Sequence, residues 1–456
     1  MRDRMEQALK KSRADYTEIR LEEQAVSGLS FQGEELDHIG SSSSTGGMVR
    51  ALVNGGWGVA AFNDLGDLED KVAQAAASAR WVGKEKSQWA EVPPVVDTVT
   101  AAMKEDFRQV PLAEKKAVVE AYNRIILGYH EKIQTTLVRY RDAFRRVRFA
   151  NSEGAYIEEE RPDLSAYLSA VARDGDNVQR TGEGVAGTTE GFGVVRGMEE
   201  QAMLAASRAV DLLDARPVQG GNYTVVLDPK LAGVFAHEAF GHLSEADFVY
   251  ENERLKELMV LGKRFGPDWL NILDDGSIAG ARGTHRYDDE GTKTRKSHLI
   301  KEGILVGRLH SRETAAKMGE EPTGNARALG YSNEPIVRMT NTYIDRGDAT
   351  FEEMIRDVKL GVYALDMIGG QTDMEMFTFS AGYGYMIRDG QIAELVRDVT
   401  LTGNVFETLK NVDRIEREVV WSKGGGGCGK GGQSGLPVGI GSPHVRIRNV
   451  TIGGGQ

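Results

Sequence analysis

Six consecutive residues near the middle of the chain combine two potential metal ligands with a carboxylate. They are His237-Glu238-Ala239-Phe240-Gly241-His242. Two imidazoles beside a glutamate suit metal-assisted hydrolysis, because zinc is commonly bound by histidine and lowers the pKa of a bound water toward ~7. Glu238 could accept the proton of that water and pass it to the leaving amine. The segment therefore predicts a hydrolytic metal site with Glu238 as its general base.

The spacing of the two histidines is unusual for a helical metal site. On a regular α-helix, residues at i and i+5 lie about 140° apart around the axis, whereas residues at i and i+4 lie about 40° apart. His237 and His242 can therefore bind one metal only if the helix is distorted, as by a π-bulge that Gly241 would permit. We predict such a distortion in a helix that runs from Leu231 to about Tyr250. The alternative is that both histidines are structural.

A glycine-rich run near the C-terminus contains the single cysteine of the chain, Cys428, within residues 424–433. Glycine lets the backbone approach a ligand closely. Cys428 could supply a thiolate as a third zinc ligand, with Lys430 helping its deprotonation, and a fourth position would stay open for water. Two alternatives remain, a flexible linker and a backbone nest that binds an anion.

Other titratable residues and turns are weaker candidates. Single side chains of these types are more often surface or structural residues, and they are Glu245, Asp247, His285, His298, His310 and His444. The acidic segments 274–276 and 288–291 could bind a cation or contact substrate, but they lack the ligand spacing of an EF-hand, so we interpret them first as turns. Residues 182–193 are glycine-rich without a nucleotide-binding motif.

The two strongest motifs together resemble a known family. His-Glu-x-x-x-His at 237–242 and Gly-Cys-Gly-Lys at 427–430 are similar to the TldD branch of the TldD/PmbA metallopeptidases. The similarity extends through Pro267-Asp268-Trp269-Leu270, the acidic segments 274–276 and 288–291, Met339-Thr340-Asn341-Thr342 and the glycine-rich tail.

The resemblance implies a site, a fold and a partner. Zinc would be bound by His237, His242 and Cys428, with Glu238 as the catalytic base, in a β-rich C-terminal domain that follows an N-terminal α/β domain. The active subunit would form a homodimer or pair with a PmbA/TldE-like subunit, and it would cleave short or unfolded peptides. Because this chain keeps all four residues, it resembles the active subunit.

Length and composition restrict the class of protein. A chain of 456 residues is expected to form at least two domains. A net charge of −12 argues against general binding to nucleic acid or anionic membranes. No apolar run is long enough to span a membrane, and residues 1–16 lack the apolar region of a signal peptide. One cysteine excludes an internal disulfide and fits a reducing compartment, so we expect a cytoplasmic protein.

The elements that would position the site predict an α+β fold in two parts. Residues 1–216 are expected to form an N-terminal α/β domain of antiparallel strands with helices, built from two similar blocks, 1–82 and 111–216, that a linker joins. Glycine and proline at 217–221 predict the boundary. Residues 221–456 are expected to form the metallopeptidase domain, an antiparallel sheet or partial barrel that carries the metal-site helix.

A second class of function stays open at this point. The chain could be a non-catalytic peptide-binding or scaffold subunit, with a structural metal or none, and a fourth protein ligand would favour that interpretation. A hydrolase with Cys428 as its nucleophile is a weaker hypothesis, because it leaves the His-Glu-x-x-x-His arrangement unexplained.

Overall fold

A computed structural model describes residues 1–82, 87–187, 189–424 and 426–453. The fold is α+β, as predicted, and its N-terminal part is one twisted sheet with strand order β3-β2-β1-β5-β6-β4, in which β7 also pairs with β6. Neighbouring strands are antiparallel except for β4, which runs parallel to β6. The strands are β1 Tyr16–Gln32, β2 Glu35–Val53, β3 Gly56–Phe62, β4 Val96–Val99, β5 Ile133–Asn151, β6 Tyr156–Asp174 and β7 Asn177–Gly187.

Helices cover one face of this sheet and form two apolar clusters with it. α1 and α2 pack beside β1 to β3, and α3 and α4 pack on β5 to β7. Both predicted blocks therefore contribute strands to the same sheet. The helices are α1 Arg2–Lys10, α2 Leu68–Val82, α3 Leu112–Leu127 and α4 Glu199–Asp214.

The first strand is longer than the sequence pattern predicts. The alternation indicates two strands, 16–24 and 26–32, but Tyr16–Gln32 is continuous. Its middle stays extended because β2 and β5 hydrogen-bond along nearly its whole length from either side. The residue types of Asn54-Gly55-Gly56 predict a tight hairpin turn, and β2 and β3 form this hairpin, with Asn54 and Gly55 at the positive φ angles, 50° and 80°, that such turns need.

The segment expected to be a linker, 83–100, is part of the fold where it is described. Residues 83–86 lie outside the described residues. Further on, Val96–Val99 is strand β4, and the ring of Trp89 lies 4.8 Å from that of Tyr16 and 5.0 Å from that of Trp57. Aromatic packing therefore holds this segment against the N-terminal sheet.

The C-terminal part is β-rich, as predicted. A ten-stranded sheet has the order β17-β18-β21-β27-β9-β16-β19-β20-β8 with β22 on β27, and a six-stranded sheet has the order β12-β11-β10-β15-β26-β23. Two-stranded pairs, β13 with β14 and β24 with β25, complete it. The strands are β8 Arg216–Pro217, β9 Gly221–Leu227, β10 Ile272–Asp275, β11 Lys296–Lys301, β12 Ile304–Leu305, β13 Ala326–Arg327, β14 Ile336–Val337, β15 Asn341–Ile344, β16 Leu360–Leu365, β17 Gly369–Asp373, β18 Met376–Ser380, β19 Tyr383–Arg388, β20 Gln391–Arg397, β21 Thr400–Asn404, β22 Val412–Ile415, β23 Val420–Trp421, β24 Gly427–Lys430, β25 Gln433–Pro437, β26 Gly439–Ser442 and β27 Val445–Gly453.

Short helices connect these strands, and the first of them packs between the two large sheets. That helix, α5, contacts β26 and β15 of one sheet and β9 and β16 of the other. The helices are α5 Pro229–Ala236, α6 Ala246–Glu251, α7 Glu253–Leu258, α8 Arg312–Met318, α9 Phe351–Ile355 and α10 Val405–Lys410. No helix in the described ranges is long and apolar enough to span a membrane.

Buried ion pairs join the N-terminal sheet to the acidic segment 288–291. Asp289 lies 2.8 Å from Arg161 and 3.7 Å from Arg20, and Glu290 lies 3.0 Å from Arg50. The turn interpretation of this segment is confirmed, since Asp288 accepts hydrogen bonds from the backbone N–H groups of residues 290, 292 and 326. These carboxylates bind arginine and backbone groups, so they are not arranged as a cation site.

Candidate metal centre

Helix α5 leads directly into the first candidate ligand, His237. The helix begins after Asp228, whose carboxylate accepts a hydrogen bond from Leu231 N–H at 2.8 Å, and Pro229 occupies its first turn. Both residue types favour a helix start. Gly233 gives the helix its close contact with the sheet, because a Cβ there would overlap the side chain of Ile440 in β26. His237 follows directly after this anchored helix.

The predicted distortion is confirmed between the two histidines. Residues His237–Gly241 form a π-helical turn, in which the N–H of His242 donates to the carbonyl of His237. A π turn contains one residue more than an α turn, so the residue at i+5 takes the place that i+4 has in an α-helix. The two imidazole centroids are 5.2 Å apart. The wider turn therefore removes the geometric objection to the five-residue spacing.

The turn needs glycine at position 241 for a different reason from the one expected. The backbone angles of Gly241, φ −57° and ψ −52°, are ordinary helical values that any residue adopts. What requires glycine is space, since a Cβ at this position would overlap Sδ of Met339, which is fully buried. Met339 thus packs directly on the turn that carries both histidines.

The predicted single helix to Tyr250 is wrong beyond the histidines. A 3₁₀ turn, His242–Ser244, follows the π turn, and Glu245 leaves the helical region with φ −72° and ψ 116°. The backbone groups of residues 244 and 246 pair with Leu309, at 2.8 Å and 3.0 Å. Because these groups bond to a neighbouring chain segment, the helix stops and the side chain of Glu245 turns toward His242.

The glycine-rich run forms an ordered hairpin rather than a linker in its described part. Strands β24 and β25 pair around Gly431 and Gly432, whose φ angles are 56° and 76°. Gly425 lies outside the described residues. Cys428 is 4% exposed, and its Sγ lies 3.5 Å from Nε2 of His242. The hairpin therefore brings the one thiol of the chain to the histidine turn.

Ligand atoms of His237, His242 and Cys428 all lie within 4.8 Å of one another. Two ligands of one tetrahedral zinc ion, each about 2.2 Å from it, are about 3.6 Å apart, close to the separation of Cys428 and His242. Nδ1 of His237 is buried and has no hydrogen-bond partner among the residues that the structure describes. Burial, with the nearby charges of His242 and Arg338, holds the pKa of His237 well below its ordinary value. A neutral imidazole is the form that binds a metal, so the state of His237 and the spacing of the three ligand atoms fit zinc.

Glu238 lies beside this cluster. Its Oε2 is 3.9 Å from Nε2 of His242, and its side chain is 29% exposed. Burial raises the pKa of Glu238, and the charge of Glu245 adds to this effect, although His242 partly opposes it. A carboxylate with a raised pKa next to a metal cluster can take up and release a proton.

Glu245 is the site residue whose importance the sequence did not reveal. It is fully buried, and its Oε2 lies 3.0 Å from Nδ1 of His242. Burial alone would lower the pKa of His242, but Glu245 and Cys428 raise it to about 10. The signal for this role was its position three residues after a candidate ligand, which by itself does not distinguish it from a surface glutamate.

Lys430 was expected to help deprotonate Cys428, but its ammonium group contacts two carboxylates. Its ammonium group lies 3.0 Å from Glu245 and 2.6 Å from Asp247, and it donates to the carbonyl of Val337 at 2.8 Å. These contacts hold the ammonium group of Lys430 beside Glu245, the neighbour of His242, rather than at the thiol of Cys428. The backbone carbonyl of Cys428 accepts instead from the buried Arg338 at 2.7 Å.

The remaining candidate histidines lie outside the cluster, as expected of structural residues. His310 contacts Thr314 and Glu320, and His444 contacts Glu416 and Tyr363. Nδ1 of His285 lies 2.9 Å from the carbonyl of Gly283, and His298 is part of β11. The acidic turn at Asp274 is also structural, because its carboxylate accepts from Thr340, Thr342 and Asn325.

Models of one protein family match nearly the whole chain. They describe the PmbA/TldA metallopeptidase domain 1 over residues 17–79, the central domain over residues 105–256 and the C-terminal domain over residues 220–454.

Two curated relatives match along almost their full length. The chain is 47% identical to a metalloprotease of Synechocystis sp. over 444 residues, which cover 97% of this chain and 96% of that protein. It is 28% identical to a zinc metalloprotease TldD homolog of Saccharolobus solfataricus over 449 residues, which cover 97% of each.

Solved structures share the fold at low identity. A putative modulator of DNA gyrase from Thermotoga maritima superposes with a TM-score of 0.80 at 21% identity, covering 99% of both chains. TldE from Thermococcus kodakarensis superposes with a TM-score of 0.75 at 16% identity, covering 100% of both.

Proposed function

The chain belongs to the PmbA/TldD metallopeptidase family, and from this premise we propose that it is a zinc-dependent peptidase. His237, His242 and Cys428 hold the zinc, and Glu238 is the general base. The observation that carries the proposal is the approach of three ligand atoms to within 4.8 Å of one another, with the carboxylate of Glu238 beside them.

Each residue has a distinct task in peptide hydrolysis. The neutral ring of His237, the ring of His242 and the thiolate of Cys428 would hold the metal, and three protein ligands are the number that catalytic zinc sites use. Zinc bound there would act as a Lewis acid and lower the pKa of a coordinated water. Glu238 accepts the proton of the attacking water and delivers it to the leaving amine. Its position at the partly exposed edge of the cluster suits a group that must meet substrate.

The substrate class and the assembly follow from the family rather than from the site. We propose short or unfolded peptides as substrates and a cytoplasmic location. The chain would act as a homodimer or together with a PmbA/TldE-like subunit. Residues 1–216 and 221–456 would be separate domains, which is supported by the three largest apolar clusters, each on one side of the division; a smaller cluster joins Phe149 and Ile157 to Tyr287 across it.

The replacement of Cys428 by alanine tests the ligand assignment. Two histidines alone are a poor zinc site, so Cys428→Ala should lower zinc occupancy and peptide cleavage together. Ser434→Ala, at an exposed position of the same hairpin, is the matched control and should keep both. A nucleophilic cysteine would behave differently, because the alanine variant would keep its zinc and the wild type would form an acyl-enzyme. Full zinc occupancy in Cys428→Ala would defeat the assignment.

A further inference from the structure

A buried chain of charged contacts connects His242 to the hairpin that carries Cys428. Oε2 of Glu245 lies 3.0 Å from Nδ1 of His242 and 3.0 Å from Nζ of Lys430. Glu245 is 0% exposed and the side chain of Lys430 is 6% exposed. A buried carboxylate is costly unless charged and hydrogen-bonded partners compensate it, so these two contacts fix where Glu245 can lie.

The contact with Glu245 also determines which nitrogen of His242 is available. With Nδ1 directed at the carboxylate, the opposite nitrogen, Nε2, lies 3.5 Å from Sγ of Cys428 and 3.9 Å from Oε2 of Glu238. When a metal replaces the proton on Nε2, the carboxylate at Nδ1 holds the remaining proton of the ring there. Glu245 thereby sets both the rotation of the ring and its tautomer.

Lys430 extends this control to the third ligand. It lies two residues after Cys428 in strand β24, and its ammonium group contacts Glu245, Asp247 and the carbonyl of Val337. The histidine segment and the cysteine hairpin are far apart along the chain, so their separation must be fixed by tertiary contacts. The Glu245–Lys430 pair is such a contact and involves a neighbour of each ligand.

We propose that Glu245 is a positioning residue for His242, and that Lys430 holds Glu245 so that the histidine segment and the cysteine hairpin meet at the distance one metal ion requires. The inference rests on the proposed zinc site and deepens it. Asp247 provides an internal comparison, because it contacts the same ammonium group but does not contact His242 among the described hydrogen bonds.

Zinc affinity of matched variants tests this inference. Glu245→Gln keeps the shape of the side chain and removes its charge, and Asp247→Asn makes the same change at the other partner of Lys430. Competition with a chromogenic chelator should show zinc binding about 10- to 100-fold weaker in Glu245→Gln and less than about threefold weaker in Asp247→Asn. The visible spectrum of Co²⁺-substituted Glu245→Gln should also shift, because the geometry at the ion changes.

Two outcomes would overturn the inference. One is an affinity of Glu245→Gln within about threefold of wild type, and the other is an equal loss in both variants, which would mean that only the charge balance around Lys430 matters. If Glu245→Gln does not fold, ¹⁵N NMR of His242 in the zinc-loaded wild type decides, since the inference requires the proton on Nδ1 and fails if it is on Nε2. A wild type that binds no zinc would reject the proposed function itself, whereas zinc binding that Glu245→Gln leaves intact rejects only the positioning role.

Discussion

Glu238, the proposed general base, lies beside the three candidate metal ligands. Its carboxylate lies at the edge of the cluster and remains 29% exposed. We expect Glu238→Gln to keep its zinc and to lose about 10²- to 10⁴-fold in turnover, because the change preserves shape and removes the proton acceptor. Glu257→Gln, at an exposed position of α7, should keep wild-type turnover. Near-normal cleavage by folded, zinc-loaded Glu238→Gln would refute the base assignment, and steady-state kinetics with parallel metal analysis measures both.

The candidate site residues could be chosen from their types and spacing, but the contacts around them could not be predicted. The His-Glu-x-x-x-His segment and the cysteine-containing run each indicated metal chemistry, and the family resemblance of the two motifs together singled out His237, Glu238, His242 and Cys428. Glu245 and Arg338 could not be recognised. Their roles depend on the chain leaving the helical conformation at Glu245 and on the contact of Arg338 with the backbone of Cys428, and neither event leaves a pattern in the sequence.

The π turn is the element on which the site depends. The five-residue spacing predicts this turn on the condition that both histidines bind one metal, and the turn His237–Gly241 has the expected hydrogen bond from His242 N–H to His237 O. The reason for glycine at position 241 is packing rather than backbone freedom. Met339 occupies the space that a side chain would need.

Replacing Gly241 with alanine tests this packing. The added methyl group must displace Met339 or the turn, which should cost about 1–3 kcal/mol of unfolding free energy and weaken zinc binding. Met339→Ala removes the side chain that the added methyl group would meet, but the lost packing itself lowers the free energy of unfolding. The double variant should therefore be more stable than the sum of the two single effects predicts, as expected of residues in direct contact. Strict additivity in urea unfolding would contradict the packing explanation.

Turns were predictable where glycine or asparagine adopts positive φ, as at Asn54-Gly55. Strand and helix ends were less predictable. β1 continues through its polar middle because it has a partner on each side, and the helix stops at Glu245 because its backbone neighbours bond to Leu309. Both boundaries depend on residues that are distant in sequence.

For the whole molecule, the contact between the N-terminal sheet and segment 288–291 depends on buried charge. Asp289 is 4% exposed and faces Arg161 and Arg20. Asp289→Asn would leave these arginines without that counter-charge, so the free energy of unfolding should fall by about 3–5 kcal/mol. Glu394→Gln, which breaks the exposed pair with Arg388, should cost less than about 1 kcal/mol. Equal effects in urea unfolding would refute a structural role for the buried network.

The carboxylate of Asp289 should also affect how the stability of the protein depends on pH. Burial alone would raise the pKa of Asp289, but Arg161 and Arg20 outweigh burial and hold the pKa below its ordinary value. A folded-state pKa below the unfolded value stabilises the protein above about pH 4 and loses this effect as the pH falls further. The stability difference between wild type and Asp289→Asn should therefore shrink below about pH 4. A difference that grows on acidification would contradict this sign.

At this scale the α+β class and the β-rich C-terminal part could be predicted from hydrophobic alternation and turn residues. The joining of both N-terminal blocks into one sheet could not, because strand order depends on pairings such as β1 with β5, more than a hundred residues apart. The division at residues 216–221 stays a prediction.

We propose that cleavage depends on one zinc ion held by His237, His242 and Cys428. Removal and return of the metal test this dependence. The purified full-length chain would be assayed for zinc and for hydrolysis of an unfolded peptide, before chelation, after chelation and after zinc is returned, with a PmbA/TldE-like subunit added in a parallel series. We expect about one zinc per chain, loss of cleavage with the metal, and recovery of cleavage when zinc returns. Undiminished cleavage by the zinc-free chain would contradict this proposal.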